Sequence, residues 1–205
     1  MSSSTAVKPL TSRGEVTRQR IIEAAAGLIF DQGITTTTLD QVREATRTSK
    51  SQLYHYFADK SDLVRAVIAF QTDRLLDSQR PQLDNLNSWE NLRDWADRMV
   101  RLGQERNCRH GCPLGSLARQ IVDHDETARL DIVRAFDRWE RYLLDGFTLL
   151  QARGELTPGA DPADITTAFM SAMQGGLLLS QARRDPKPFT LAMDAAVHYA
   201  ESFRP

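Results

Sequence analysis

Apolar residues recur at helical spacing along nearly the whole chain, and no run of alternating β-branched residues predicts a strand. The first amphipathic stretch, residues 16–32, places Ile21, Ala25 and Ile29 on one stripe and precedes Gly33, a residue typical of a left-handed helix cap. Later helices are predicted over residues 59–80, 88–106, 114–123, 126–152, 162–184 and 188–203. With the two short helices described next, these segments predict an all-α fold of nine helices.

Two capping boxes lie close together in the stretch after Gly33. In each box a Thr or Ser caps a helix and a Gln three residues later reaches back to it, as in Thr38 with Gln41 and Ser49 with Gln52. The predicted helices cover residues 39–46 and about 50–57. Two short capped helices with so few residues between them are the signature of a helix-turn-helix, which is a DNA-binding motif.

The composition is that of a soluble globular protein, since 41% of the 205 residues are hydrophobic and 26% are charged. No apolar run approaches the ~18 residues of a membrane span, and the first residues lack a signal-peptide core, so we expect a cytoplasmic protein with no membrane partner. The net charge of −1 does not indicate a nucleic-acid partner. The +2 charge of residues 1–60 adds little, because DNA binding needs a local basic face rather than a basic chain.

Residues 17–67 resemble the DNA-binding domain of the TetR family of transcriptional regulators. The matching segments are Ile21–Gly33, Thr37–Leu39 with Val42, Ser49–Phe57 and Asp59–Leu63. The resemblance implies a three-helix DNA-binding domain followed by a helical domain that binds an effector and dimerises. We therefore predict a disordered arm over residues 1–15, a helix-turn-helix domain over 16–60 and an effector-binding and dimerisation domain over 61–205.

The turn of the motif departs from the family pattern at two positions. The family usually has Gly where this chain has Arg47, and an aliphatic residue where it has Thr48. Arg47 must then adopt a left-handed conformation, or the turn is altered. We interpret the difference as a local variant in which Arg47 can contact DNA.

The resemblance implies that the second helix of the motif enters the major groove of double-stranded DNA. Its outward-facing residues are Lys50, Ser51, Gln52, Tyr54 and His55. Lys50 can reach guanine or phosphate, Gln52 suits adenine unless its capping box occupies it, and Tyr54 can cover a thymine methyl. Contacts to the DNA backbone, which position the motif without reading sequence, are implied at Thr38, Thr48 and Lys60.

The last two helices are predicted to form a homodimer, which would read two half-sites of a pseudo-palindromic operator. The resemblance implies a four-helix interface, and small residues allow helices to approach closely. Candidate interface residues are Ala168, Ala172, Gly175, Gly176, Leu191, Ala195 and Tyr199. The alternative is that these positions form a core within one subunit.

The middle helices are rich in Met and aromatic residues, which at helical spacing most often form plain core. The resemblance implies instead that they surround a cavity for a small-molecule effector, expected to be apolar or aromatic. Candidate lining residues are Trp95, Met99, Cys108, Cys112, Leu117, Phe136, Trp139, Phe169 and Met173. Binding of the effector would release a repressor from its operator.

The segment from Cys108 to Gly115 is the least ordinary part of the chain and has three interpretations. In the first, Cys112 opens a short helix and both thiols are structural or line the pocket. In the second, a thiolate assisted by Arg109, His110 or the helix N-terminus senses oxidants or electrophiles. In the third, Cys108, His110 and Cys112, with or without His124, bind a metal ion, although this spacing matches no standard site.

Two other classes of function compete with a regulator. An all-helical enzyme is disfavoured, because the chain has no phosphate loop, no nucleophile elbow and only four scattered His residues, and we expect no cofactor. A helical interaction module without DNA binding is the second alternative. DNA affinity that falls steeply with salt would distinguish a regulator from both.

Overall fold

The computed structural model of the chain describes residues 11–205. The helices are α1 (Ser12–Gln32), α2 (Leu39–Thr46), α3 (Lys50–Tyr56), α4 (Lys60–Gln79), α5 (Trp89–Glu105), α6 (Pro113–Ile121), α7 (Glu126–Ala152), α8 (Pro162–Arg183) and α9 (Lys187–Glu201). A short 3-10 helix, Leu83–Asn85, is the other helical element of the described residues, which contain no strand. The predicted all-α fold of nine helices is therefore confirmed for this part of the chain.

The start of α1 differs from the prediction. Thr11 caps the helix by accepting the backbone N–H of Gly14 at 3.2 Å, so α1 begins at Ser12 and residues 12–15, expected in a disordered arm, are helical. The rest of that predicted arm, residues 1–10, lies outside the described residues. At the other end Gly33 has a φ of 87° as predicted for a Gly cap, but its ψ of 164° lies outside the left-handed helical region.

The first compact unit extends to Phe70, ten residues beyond the predicted boundary at 60. Its core contains buried residues of α1, α2 and α3, with Ile21, Val42, Leu53 and Phe57 each almost fully buried. The first half of α4 belongs to the same unit and adds the buried residues Leu63, Val64 and Val67. The boundary therefore falls inside a continuous helix rather than before it.

The second unit, residues 71–205, contains the remainder of α4 and α5 to α9. The connection after α4 is held in this unit by the buried side chains of Leu83 and Leu86. Gly146 of α7 lies against it so closely that a Cβ would be 2.2 Å from the carbonyl oxygen of Leu86. Within residues 11–205, none of the helices has the length and apolar character needed to cross a membrane.

Candidate DNA interface

Both predicted capping boxes are present and define the two helices of the motif. Thr38 Oγ1 accepts the backbone N–H of Gln41 at 3.2 Å, and Gln41 Oε1 accepts that of Thr38 at 2.8 Å. Ser49 Oγ accepts the N–H of Gln52 at 3.1 Å, and Gln52 Oε1 accepts that of Ser49 at 3.0 Å. The reciprocal bonds satisfy N–H groups that a helix start otherwise leaves open, so α2 and α3 begin at the predicted residues.

The turn between α2 and α3 is a Schellman motif centred on Arg47. Its N–H donates to the carbonyl of Glu44 at 3.2 Å, and the N–H of Thr48 donates to the carbonyl of Arg43 at 3.1 Å. Arg47 has a φ of 52° and a ψ of 35°, so of the two alternatives, a left-handed Arg47 or an altered turn, the structure has the first. The turn keeps the backbone conformation that Gly ordinarily adopts, and the Arg47 side chain on it is exposed to solvent.

Thr48 is not available as a DNA-backbone contact in this structure. Its side chain is only 5% exposed, and its hydroxyl lies 2.8 Å from the hydroxyl of Thr46. Thr46 in turn donates to the carbonyl of Val42 at 2.8 Å. A pair of buried hydroxyl groups therefore occupies the place where the family pattern has an aliphatic residue.

The predicted reading face of α3 is exposed. Lys50, Ser51, Gln52, Tyr54 and His55 all lie on the surface, whereas Leu53 and Phe57 are buried. Lys50 Nζ lies 6.0 Å from the centre of the Tyr54 ring, so a cation and an aromatic face share one turn of the helix. The structure brings these five residues together as the sequence predicts.

The capping box changes what Gln52 can read. Its Oε1 already accepts the N–H of Ser49, so the cap uses one of the two lone pairs of that oxygen and fixes the orientation of the amide. Recognition of adenine needs both an acceptor and a donor from one amide. Gln52 can therefore donate through Nε2 without disturbing the cap, and the predicted adenine contact would share Oε1 between the base and the N–H of Ser49.

Two predicted backbone-contact residues remain at the surface. Thr38 is exposed, although its hydroxyl serves the cap of α2. Lys60 is half-buried, and its Nζ donates to the carbonyl of Thr35 at 3.3 Å, which ties the start of α4 to the loop before α2. Both side chains thus lie beside helix starts, where backbone N–H groups also favour phosphate.

Most of the candidate effector residues form the buried core of the second unit. Trp95, Leu117, Trp139, Phe169 and Met173 are almost fully buried, Met99 and Cys108 are buried at the margin, and Phe136 and Cys112 are half-buried. The rings of Trp95 and Phe169 pack with their centres 5.8 Å apart. The indole N–H of Trp139 is buried and has no acceptor among the described residues.

The two cysteines fit the structural interpretation. Cys112 caps α6, because the backbone N–H of Gly115 donates to Cys112 Sγ over an N–S distance of 3.5 Å. Its predicted place at the start of that helix is therefore confirmed. Burial raises the pKa of the Cys112 thiol and outweighs the opposing effect of the hydrogen bond from the N–H of Gly115, and the protonated thiol is a poor nucleophile. Among residues 11–205 no three His, Cys, Asp or Glu side chains are placed to hold a metal ion, and neither the sensor nor the metal interpretation gains support.

The candidate dimer residues divide into two groups. Leu191, Ala195, Tyr199 and Gly175 are exposed, and Ala168 and Ala172 are half-buried. Gly176, however, is buried inside the subunit, where a Cβ would lie 2.6 Å from Cβ of Ala192 on α9. Its prediction as an interface residue is wrong, because this glycine lets α8 and α9 of one chain approach each other.

The sequence interpretation missed two exposed residues of α8. Leu178 and Leu179 are 62% and 47% exposed. They follow Leu177, and three consecutive leucines cannot all face one side of a helix with 3.6 residues per turn. That run was the available signal that part of α8 presents apolar side chains outward.

Two known families match this chain. Residues 21–67 match the family described as "Bacterial regulatory proteins, tetR family", and residues 88–196 match "Tetracyclin repressor-like, C-terminal domain". The second match covers a continuous segment of the second compact unit, and the first covers the helix-turn-helix. Together they account for both units.

Individual relatives agree with these matches. Transcriptional regulator AcuR of Cereibacter sphaeroides is 30% identical over 175 residues, which cover 83% of this chain and 78% of AcuR. The HTH-type transcriptional regulator SrpR of Pseudomonas putida is 34% identical over 164 residues, covering 80% of this chain and 75% of SrpR. A crystal structure of a TetR-family regulator from Cytophaga hutchinsonii has a TM-score of 0.81 at 19% identity, covering 96% of this chain and 98% of that one, and shows the shared fold.

Proposed function

This chain belongs to the TetR family of bacterial regulatory proteins, and from that premise we propose that α3 reads the major groove of a double-stranded DNA operator. The carrying observation is that all five predicted reading residues of α3 are exposed on a helix whose start is held by a capping box. Lys50 and Tyr54 lie together at the centre of that face and make the principal contacts. Arg47, Thr38 and Lys60 hold the DNA backbone.

We propose that the protein acts as a homodimer on a pseudo-palindromic operator. A single motif reads few base pairs, and a dimer reads two half-sites related by its two-fold axis. Exposed apolar residues on α8 and α9 support an interface there, namely Leu178, Leu179, Leu191 and Tyr199. Gly175 adds an open position, since a Cβ there would meet no atom within 4 Å.

The proposed effector is a small apolar or aromatic molecule that enters the second unit near Trp95, Trp139 and Phe169. The unpaired indole N–H of Trp139 supports a ligand with one hydrogen-bond acceptor, because an unsatisfied buried donor costs about 1–3 kcal/mol. The ligand must bind the DNA-free state more tightly than the DNA-bound state to release the protein. We propose repression as the mode of action and the cytoplasm as the place of action.

Selection of bound sequences from a random DNA pool tests the proposal with the full chain. A regulator should enrich one two-fold sequence, with an affinity that falls steeply as salt rises. The selection is repeated with a panel of aromatic compounds, and a compound that abolishes enrichment identifies the effector class. Failure to enrich any sequence at low salt would favour an interaction module instead, and enrichment that no compound alters would remove the proposed effector.

A further inference from the structure

The second unit contains a half-open cleft of about 340 Å³ where the loop after α5 meets the turn between α8 and α9. Its lining residues are Gln104, Asn107, Cys108, Arg109, Arg184 and Pro186. A volume of this size is typical of sites that take small organic molecules. Cys108 is the one candidate effector residue in its lining, so the cleft is separate from the cluster of Trp95, Trp139 and Phe169.

Two guanidinium groups dominate the chemistry of the cleft. Arg109 and Arg184 are exposed, and within residues 11–205 neither makes an ion pair. The neighbouring carboxylate of Asp185 accepts the backbone N–H of Lys187 at 2.9 Å. The two wall segments, 104–111 and 183–187, carry five Lys/Arg and two Asp/Glu, a net charge of +3 in a chain of net charge −1. The cleft is therefore a locally cationic site, with no ion pair to either arginine from the described part of the chain, on a protein whose net charge is close to zero.

The α5 side of the cleft is a defined structure. The N–H of Asn107 donates to the carbonyl of Gln104 at 2.8 Å, and that of Cys108 donates to the carbonyl of Gly103 at 2.9 Å, which closes α5 in a Schellman motif. Asn107 and Cys108 both have left-handed φ values, near 50°. These bonds fix the backbone path between the end of α5 and Arg109.

Close packing also joins the two walls. Gly111, with a φ of 55°, lies so near α8 that a Cβ would be 2.5 Å from Oε1 of Gln181, and a Cβ at Gly103 would be 3.3 Å from the ring of Phe189 on α9. On the opposite wall, Arg184 ends α8 with a φ of 54°, and its N–H donates to the carbonyl of Ser180. A positive φ costs free energy for a residue other than glycine, and this conformation recurs at functional sites. The cleft is thus organised before any ligand binds.

We propose that this cleft binds a small organic anion, whose oxyanion group is held between the guanidinium groups of Arg109 and Arg184. Planar guanidinium groups donate paired hydrogen bonds to carboxylate and phosphate oxygens. The amides of Gln104 and Asn107 add neutral donors, and Cys108 with Pro186 forms a less polar surface for the remainder of the ligand. The site differs in chemistry from the proposed aromatic effector site, and its test needs no DNA.

Calorimetric titration of the full chain at constant ionic strength tests the site with defined probes. The probes are succinate, benzoate and inorganic phosphate, with succinamide as the uncharged analogue of succinate. We expect one or both carboxylates to bind and succinamide not to bind. Arg109→Gln and Arg184→Gln should each weaken binding by about tenfold or more, whereas Arg184→Lys should keep part of the affinity because it retains charge without the paired donors.

The matched control is Arg141→Gln, which removes an exposed arginine of α7 outside the cleft and should leave binding unchanged. Helical circular dichroism confirms that each variant is folded. Binding that survives both cleft substitutions, equal binding of succinamide, or no binding of any anion would overturn the site. Binding of phosphate without either carboxylate would overturn the assignment of an organic ligand.

Discussion

The indole N–H of Trp95 donates a hydrogen bond of 3.1 Å to the side-chain oxygen of Gln79, and both side chains are buried. Gln79 is the last residue of α4, the helix that begins at Lys60 in the DNA-binding unit. Trp95 also packs against Phe169 in the proposed effector region. A ligand that displaces the Trp95 ring would therefore break a buried polar contact at the end of the helix that leads to the DNA-binding motif.

Replacement of Gln79 tests how much the Trp95–Gln79 hydrogen bond contributes to the free energy of unfolding. Gln79→Leu leaves the Trp95 N–H buried without an acceptor, so we expect the free energy of unfolding to fall by about 1–3 kcal/mol. The double variant with Trp95→Phe removes the orphan donor and should lose less than the sum of the two single variants. Urea denaturation measures all four proteins, and strict additivity would show that the bond contributes no coupling.

Arg47→Gly separates backbone strain from DNA binding. Glycine adopts the left-handed conformation of this turn without a Cβ penalty, so the variant should be more stable, by about 0.5–1 kcal/mol in urea denaturation. It also removes a cation from the proposed interface, so operator affinity should fall and the slope of log K against log salt should decrease by about one. An unchanged salt slope would show that Arg47 does not contact phosphate.

Tyr54 is the strongest test of the reading face. The side chain is 47% exposed, so Tyr54→Ala should leave the fold intact and weaken operator binding by about tenfold, or about 1.4 kcal/mol. Thr48→Val is the control, because its inward-facing hydroxyl should affect stability, by about 1 kcal/mol, and not affinity. Fluorescence anisotropy with the selected operator measures the DNA affinity of both variants. A larger loss of affinity in Thr48→Val than in Tyr54→Ala would contradict the assignment of Tyr54 as a DNA contact.

The proposed dimer face is tested by introducing a charge at Leu191. This side chain is 56% exposed in the single chain, and Leu191→Glu would bury an unpaired carboxylate in the interface. We expect sedimentation analysis to show a monomer at concentrations where the unchanged chain is a dimer. Leu149→Glu alters an exposed leucine of α7 instead and should leave the assembly intact. Dissociation in both variants would point to a different interface.

Adjacent glycines of α8 should respond oppositely to the same change. In Gly176→Ala the new methyl meets Cβ of Ala192 at 2.6 Å, so the free energy of unfolding should fall by about 1–3 kcal/mol. Gly175→Ala enters open space within one subunit, so in the monomeric Leu191→Glu background it should be neutral or stabilising, by up to about 1 kcal/mol. Urea denaturation at one protein concentration compares the two, and equal effects would contradict the packing of α8 on α9.

Local interactions explain why much of the DNA-binding motif was predictable. Thr38 with Gln41 and Ser49 with Gln52 interact across three residues, so the starts of α2 and α3 follow from the chain itself. The alternation of Leu53 inward and Tyr54 outward follows from the helical period in the same way. The local pattern narrowed Arg47 to a left-handed conformation or an altered turn, and the structure has the left-handed conformation.

Tertiary contacts decided the features that local pattern cannot specify. The inward position of Thr48 depends on Thr46 and the core beneath it, and the burial of Gly176 rather than Gly175 depends on where α9 packs. Arg109 and Arg184 are far apart in the chain, and only the packing of the α5–α6 loop on α8 and α9 brings them to one cleft. The sequence by itself determined where α2 and α3 begin and which face of α3 is exposed, because hydrogen bonds and side-chain directions within one helical turn set them. The interior contacts and the cleft required the packing of distant helices.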